Sequence, residues 1–350
     1  MFFMADNVKY DEEFILNSRG LKLFTCRWLP ASQKPKALVF ICHGYAMECS
    51  ITMQSTAMQL VKAGFAVYGI DYEGHGKSSG RQGYVHNFNN LIEDCFKHFT
   101  GICEREENRG KMRFLLGESM GGAMALLLHR KKPDFWNGAV LVAPMCKIAD
   151  KMKPHPLIIS ILIMVCKLIP QWKINQNKDI INIAFKEPQV RQQVYISFFN
   201  FTIHFNLFIS QALNPGQGFG GITLNSRVLS SAVYSFGVII QVRENKYCYK
   251  GPLFLKTAYE FLRVSTDLEK RLQEVTLPFL VLHGEDDRVT DKNVSDQLHK
   301  VASSKDKTLK LYSGMWHGLL YGEPQRNIDI VFKDIISWLD KRCSKANSRM

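Results

Sequence analysis

The sequence lacks two features that would place it in the secretory pathway. The residues at its start (1–6) contain no basic region followed by a long apolar core, so no signal peptide is predicted. Its nine cysteines are an odd number at irregular spacing, and none form a C-x-x-C pair. This number and spacing of cysteines favours reduced thiols over a disulfide framework, so a cytoplasmic protein is expected.

Features of membrane-spanning and nucleic-acid-binding proteins are also missing. Lys and Arg are scattered, and no nucleic-acid motif accompanies the net charge of +13. The apolar stretch 157–169 is shorter than the roughly 20 residues that a spanning helix needs. It is either a helix packed on the core or one that touches lipid. We therefore expect no nucleic-acid partner, and we keep peripheral membrane contact as an alternative.

What the sequence does contain is an alternation of apolar strand-like runs with helix-like segments. Such alternation predicts an α/β protein with a doubly wound, mostly parallel sheet and right-handed crossovers. Strands are predicted at 21–28, 37–42, 65–70, 112–116, 139–143, 278–283 and 308–312, and helices at 52–62, 88–107, 120–130, 292–301 and up to about 341.

The alternation stops for a long stretch in the middle of the chain. We predict two parts of one core, 1–144 and 276–350, and an insertion at 145–275 that covers the active face as a cap. Ligands of such sheets bind at the carboxyl ends of the strands, where this insertion would lie.

Segment 194–241 is nearly devoid of charge. Its 48 residues include a single formally charged side chain, Arg227, although 22% of the whole chain is charged. Our hypothesis is that it is translated non-coding sequence, such as a retained intron; a membrane-docking hairpin is the alternative. Transcripts that all contain the segment would refute the intron hypothesis. We expect a form without it to hydrolyse esters faster.

The most informative motif is Gly117-Glu118-Ser119-Met120-Gly121, between an apolar run and an Ala/Leu-rich run. A serine between glycines in this setting predicts a sharp strand–turn–helix with a strained serine backbone. The turn holds the hydroxyl clear of the sheet at a helix N-terminus. Ser119 is therefore the predicted nucleophile.

A serine nucleophile needs a base and an acid that orients the base. In this fold class the chain order is Ser, then Asp or Glu, then His. His317 follows the strand at 308–312 and is the predicted base. The acid is Asp286 or Asp287, both after the strand at 278–283, and their spacing does not distinguish them.

A tetrahedral intermediate also needs an oxyanion hole. One donor is expected to be the backbone N–H of Met120, directly after the nucleophile, and the other that of Tyr45 in the early glycine loop. His43 and His75, beside glycines, are expected to brace loops.

Five segments together resemble the plant monoacylglycerol lipase-like serine hydrolases of the α/β-hydrolase fold, a group that includes the caffeoylshikimate esterases. They are His43-Gly44-Tyr45, Gly74-His75-Gly76-Lys77-Ser78, Gly117-Glu118-Ser119-Met120-Gly121-Gly122, His283-Gly284-Glu285-Asp286-Asp287 and Gly314-Met315-Trp316-His317. The resemblance covers residues 10–342 apart from 194–241. It implies that Asp287 is the acid and that Tyr45 and Met120 are the oxyanion donors.

The resemblance further implies an esterase without a cofactor or metal. The implied substrate is a small lipid ester, monoacylglycerol or lysophospholipid, that yields a fatty acid through an acyl-enzyme. A phenolic esterase of the caffeoylshikimate type, an acyltransferase, an inactive splice variant and a non-catalytic binding protein are alternatives. A departure from the family is Ala46, where the early loop commonly has glycine.

Overall fold

The computed structural model describes residues 7–146, 163–174 and 245–347. Within these ranges, eight strands form one sheet in the order β1-β2-β4-β3-β5-β6-β9-β10. The strands of this sheet are β1 (Val8–Leu16), β2 (Lys22–Pro30), β3 (Leu38–Cys42), β4 (Ala66–Ile70), β5 (Arg113–Glu118), β6 (Gly138–Val142), β9 (Phe279–Gly284) and β10 (Lys307–Tyr312).

Six neighbouring strands of the sheet, from β4 to β10 in that order, pair in parallel, and β1 and β2 add an antiparallel edge. The predicted mostly parallel sheet is thereby confirmed. Every residue of β3, β4, β6 and β9 is buried. Strands that are buried on both faces of the sheet have apolar side chains at nearly every position, which is why the sequence predicts them well.

Strand β1 was missed by the sequence analysis, which placed the first strand at 21–28. β1 is an edge strand paired with β2, and most of its side chains are exposed. Its charged residues suit an edge, because charge discourages pairing with another chain. Because of the same charges, β1 does not form an apolar run, which is the pattern used to predict the other strands.

In the described part of the chain, six helices cover the sheet. They are α1 (Gln54–Lys62), α2 (Phe88–Glu104), α3 (Met120–Lys131), α4 (Leu255–Glu269), α5 (Lys292–Val301) and α6 (Gln325–Asn347). Helices α1 and α6 pack on one face of the sheet, and α2, α3, α4 and α5 pack on the other. Alternate residues of β3 enter the two cores: Phe40 faces the second group of helices and Ile41 the first.

Little of the predicted insertion falls within the described residues. Residues 163–168 are helical, and a short antiparallel ladder joins β7 (Lys173–Ile174) to β8 (Leu253–Phe254). Segment 194–241 and residues 157–162 of the apolar stretch lie outside the described residues, so the limits of the cap stay a prediction. Among the described helices, none combines the length and apolar character that a membrane span requires.

Candidate active site

Ser119 lies in the turn between β5 and α3. Its backbone has φ +52° and ψ −116°, a left-handed conformation that a serine adopts only under strain. The chain is held there by hydrogen bonds from the Ser119 N–H to the Val142 carbonyl and from the Met145 N–H to the Ser119 carbonyl, each 2.9 Å long. The predicted sharp strand–turn–helix is therefore present in the structure.

The glycines of this motif allow the backbone segments around Ser119 to approach closely. A Cβ atom on Gly121 would lie 1.8 Å from the carbonyl oxygen of Cys42, at the end of β3. A Cβ atom on Gly117 would lie 2.2 Å from the carbonyl oxygen of Gly121. Both distances are far below van der Waals contact, so any larger residue would push α3 away from the sheet.

His317 and Asp287 meet at the same edge of the sheet, after strands β10 and β9. The Nδ1 atom of His317 lies 2.7 Å from the Oδ2 atom of Asp287, and both side chains are buried. Asp286, the other candidate acid, is exposed. The structure thus brings Asp287, and not Asp286, to the imidazole.

The early glycine loop lies directly against the serine. A Cβ atom on Gly44, the residue before Tyr45, would be 3.8 Å from the Cβ atom of Ser119. Met120 is the first residue of α3. Its N–H therefore has no acceptor within the helix and is available to an anion. Met120 thus adjoins Ser119 in the chain, and Tyr45 follows a glycine that lies against it, while their role as oxyanion donors stays a prediction.

A second group of buried polar side chains, His43, Cys49 and Asp71, has ligand atoms within 4.8 Å of one another. The cited hydrogen bonds of His43 and Asp71 are to backbone groups. The two carboxylate oxygens of Asp71 accept from the N–H groups of Cys49 and Lys77, and His43 Nδ1 lies 2.8 Å from the carbonyl oxygen of Gly44. Such contacts brace the loops beside the site, which is the role expected for His43.

Comparison with known proteins decides the family. A family model described as serine aminopeptidase, S33 (Hydrolase_4) matches residues 33–198 and 220–325. The chain belongs to the Hydrolase_4 family. Caffeoylshikimate esterase of Arabidopsis thaliana is 27% identical to it over 99% of the chain and 90% of the relative. Human monoglyceride lipase is 27% identical over 97% of the chain and 93% of the relative.

The fold comparison agrees with this assignment. A monoglyceride lipase of Saccharomyces cerevisiae superposes with a TM-score of 0.71 over 97% of both chains, at 17% identity. The structural likeness shows the α/β-hydrolase fold. The family match and the relatives make this Hydrolase_4 protein a serine hydrolase that cleaves carboxylic esters. The family match leaves residues 199–219 unmatched, within the segment 194–241. The origin of that segment stays a hypothesis.

Several site residues of this Hydrolase_4 chain were not singled out from the sequence. The hydroxyl of Thr290 donates to Asp287 Oδ2 over 2.8 Å, and His283 Nε2 lies 3.1 Å from the same oxygen. Glu118, the last residue of β5 and the neighbour of Ser119 in the chain, is fully buried. A sequence signal for His283 exists, because it precedes Asp287 by four residues at the end of an apolar strand.

Burial and charge oppose each other at the acid–base pair. Burial acts to raise the pKa of Asp287, but the charge of His317 and hydrogen bonds from His283 and His317 outweigh it, so this pKa is strongly lowered. Burial acts to lower the pKa of His317, but the charge and hydrogen bond of Asp287 and the charge of Glu118 raise it above its usual value. Asp287 therefore stays ionised beside the imidazole.

Glu118 is a second carboxyl group near His317. Burial raises the pKa of Glu118 to about 7, against the opposing effects of the Tyr321 hydroxyl and His317. A carboxyl with such a pKa changes its charge near neutral pH. The electrostatic field at His317 then depends on pH over the same interval.

Ala46 differs from the glycine usual in the early loop, and its φ is +65°. A left-handed conformation costs a non-glycine residue roughly 1–2 kcal/mol. We predict that Ala46→Gly raises the free energy of unfolding by up to about 1 kcal/mol, since glycine also gains entropy in the unfolded chain. Denaturant titration measures the change.

The matched control is Ala57→Gly in the interior of helix α1. It should lower the free energy of unfolding by about 1 kcal/mol or more, because the helix interior disfavours glycine. Equal losses at both positions would contradict a strained Ala46.

Proposed function

We propose that Ser119, His317 and Asp287 form the catalytic triad of this esterase. The observation that carries the proposal is the buried 2.7 Å contact between His317 Nδ1 and Asp287 Oδ2, at the sheet edge where Ser119 adopts its strained turn. Asp287 would hold the imidazole with Nδ1 protonated, which leaves Nε2 free to act as the base.

The reaction then has two halves. As the Ser119 oxygen attacks the ester carbonyl carbon, His317 Nε2 takes the hydroxyl proton, and the N–H groups of Tyr45 and Met120 stabilise the oxyanion. The tetrahedral intermediate collapses, the carbon–oxygen bond to the alcohol breaks, and His317 returns the proton to the leaving oxygen. His317 then deprotonates a water, whose oxygen attacks the acyl carbon; the bond to the Ser119 oxygen breaks, His317 returns the proton to that oxygen, and the acid is released.

We propose monoacylglycerol, or a lysophospholipid, as the substrate, giving a free fatty acid. The support is that similar proteins along nearly the whole chain include monoglyceride lipases of human, rat and mouse.

A second candidate is a phenolic ester of the caffeoylshikimate type. It is favoured by the caffeoylshikimate esterase of Arabidopsis thaliana, which matches 99% of this chain. Hydrolysis of monoacylglycerol, lysophosphatidylcholine and caffeoylshikimate should be compared with one enzyme preparation. A kcat/KM for caffeoylshikimate above that for both lipids would overturn the lipid proposal.

Glu118→Gln is expected to move the acid limb of the kcat/KM profile to lower pH. Neutral His317 is the active base, so activity is lost as pH falls through its raised pKa. Removing the neighbouring negative charge lowers that pKa, by an expected half unit or about 0.7 kcal/mol. Rates of ester hydrolysis between pH 5 and 9 measure the shift.

Glu260→Gln is the control for this prediction. Glu260 is also buried, but it pairs with Lys256 and Arg263 on helix α4. Its replacement should leave the acid limb in place. An unshifted limb in Glu118→Gln would exclude an electrostatic effect of Glu118 on the base.

We further propose that residues 164–172 contact a membrane surface peripherally. Leu168 is 75% exposed and Trp172 is 58% exposed, and Met164 and Ile169 are exposed as well. Apolar side chains at the surface next to exposed lysines are typical of interfacial segments. Here the lysines are Lys167 and Lys173.

Leu168→Asp is therefore expected to weaken sedimentation with vesicles of mixed neutral and anionic lipid by about tenfold, because it loses buried apolar area and adds repulsion. The control is Leu16→Asp at the end of β1, where the leucine is 74% exposed. Equal binding by both variants would contradict a specific role of residues 164–172.

A further inference from the structure

The carboxylate of Asp287 is shared by two imidazole rings. Its Oδ2 atom lies 2.7 Å from Nδ1 of His317 and 3.1 Å from Nε2 of His283. His283 is the last residue but one of β9, and both its side chain and that of Asp287 are completely buried. Both imidazoles therefore contact the same carboxylate oxygen.

The hydrogen-bond partners of His283 determine its tautomer. Its Nδ1 lies 2.7 Å from the hydroxyl oxygen of Ser295 on α5, and its Nε2 faces the Thr290 carbonyl oxygen at 3.3 Å as well as Asp287. An unprotonated Nε2 would point its lone pair at two acceptor oxygens. A proton on Nε2 lets this nitrogen donate to both oxygens. The unprotonated Nδ1 then accepts a hydrogen bond from the Ser295 hydroxyl.

The remaining donors to Asp287 come from its own loop. Its Oδ1 accepts the N–H groups of Val289 and Thr290, at 2.7 and 3.0 Å. Its Oδ2 accepts the Thr290 hydroxyl at 2.8 Å. These bonds tie the carboxylate to its loop, whereas the bond to His283 ties it to strand β9 and, through Ser295, to helix α5.

We propose that His283 is a positioning residue of the esterase: its Nε2–H anchors Asp287 Oδ2 and shares the negative charge that Asp287 directs at His317. The proposal rests on the proposed triad. Because a carboxylate divides its hydrogen-bonding capacity among its donors, the His283 contact weakens the pull of Asp287 on the His317 proton. It also keeps the carboxylate in the orientation that His317 needs.

Loss of the His283 donor has two consequences. The Asp287 carboxylate interacts more strongly with protonated His317, so the protonation of His317 moves to higher pH. The carboxylate also loses its link to the rigid strand, so the base is less well oriented and kcat falls. Among the described residues, the charged groups that act on His317 are Asp287 and Glu118 of β5, and Glu118 is unchanged in the variants below.

The test compares His283→Leu with His283→Gln. Leucine removes the donor and keeps much of the volume, whereas the glutamine amide can still donate to Asp287 and does not titrate near neutral pH. We expect His283→Leu to lose about 10-fold to 100-fold in kcat with little change in KM, and its acid limb to move up by about half a pH unit. His283→Gln should keep the wild-type limb and most of kcat.

His129→Leu is the matched control for general destabilisation. His129 is also a buried histidine, but it lies on α3 and accepts a hydrogen bond from the Thr276 N–H. The His129→Leu variant should have a lower free energy of unfolding but an unshifted acid limb. If His283→Leu keeps the wild-type acid limb, whether or not its kcat falls, the positioning role is overturned.

The His317 titration can also be followed by NMR of the ring protons in the resting protein. This measurement separates the two proposals, because it needs no turnover. An upward shift of the His317 midpoint in His283→Leu supports the shared carboxylate even if ester turnover proved independent of Ser119, in which case the triad alone would fail. An unmoved midpoint overturns the role of His283 while leaving the triad intact.

Discussion

Replacing Ser119 with alanine is expected to lower the kcat for ester hydrolysis by about 10⁴-fold to 10⁶-fold, the range typical for loss of a serine nucleophile. The hydroxyl oxygen is the atom that would bond to the acyl group, and no other side chain can replace it in the turn. Covalent labelling by a fluorophosphonate probe should disappear together with turnover. Both are measured on purified protein with an unchanged circular dichroism spectrum.

Ser119→Gly distinguishes the nucleophile from its strained backbone. Glycine adopts φ +52° without the strain that Ser119 bears. The expected gain in the free energy of unfolding is about 1 kcal/mol, after subtraction of the entropy that glycine adds to the unfolded chain. Ser119→Ala retains the strain and should show little gain. Labelling of either variant by the probe would assign the reactive group to another residue.

Asp287→Asn is expected to lower kcat by about 10⁴-fold, with a much smaller effect on KM. Asparagine keeps the shape of the side chain but can present its amide N–H to His317, which would favour the wrong tautomer of the imidazole. The loss should also depend on pH, because the carboxylate no longer raises the pKa of His317. Steady-state kinetics between pH 5 and 9 measure both effects.

Asp286→Asn is the matched control, one residue away in the same loop. Its side chain is exposed, and its backbone N–H bonds to the Met315 carbonyl oxygen at 3.0 Å, a contact that the substitution leaves intact. We expect kcat within about twofold of wild type, as for most surface substitutions. A larger loss in Asp286→Asn than in Asp287→Asn would assign the orienting acid to Asp286.

The sequence alone was sufficient to predict most of the architecture. Parallel strands buried on both faces must be continuous apolar runs, so β3, β4, β6 and β9 could be located within a residue or two. The helix predicted at 292–301 has the observed bounds. The same rule explains the omission of β1, which is half polar because it lies at the edge of the sheet.

The sharp turn at Ser119 could also be predicted from the residues of its motif. Gly117 is required because the Gly121 carbonyl oxygen approaches it within the same turn, and this requirement is local. The order of serine, carboxylate and histidine is likewise a property of the chain. Residue types and order therefore determined the fold class, the family resemblance and the position of the nucleophile candidate.

Only the tertiary structure decided which side chains meet. Asp286 and Asp287 are adjacent residues after the same strand. The Asp286 side chain is exposed to solvent, whereas the Asp287 carboxylate contacts the imidazole of His317, 30 positions later in the chain. The shared use of Asp287 by His283, and the burial of Glu118 beside the base, depend on how β9, β10 and α5 pack. Sequence spacing constrains neighbours along a strand or helix, whereas hydrogen bonds and charges act across space between segments that only the packed sheet brings together.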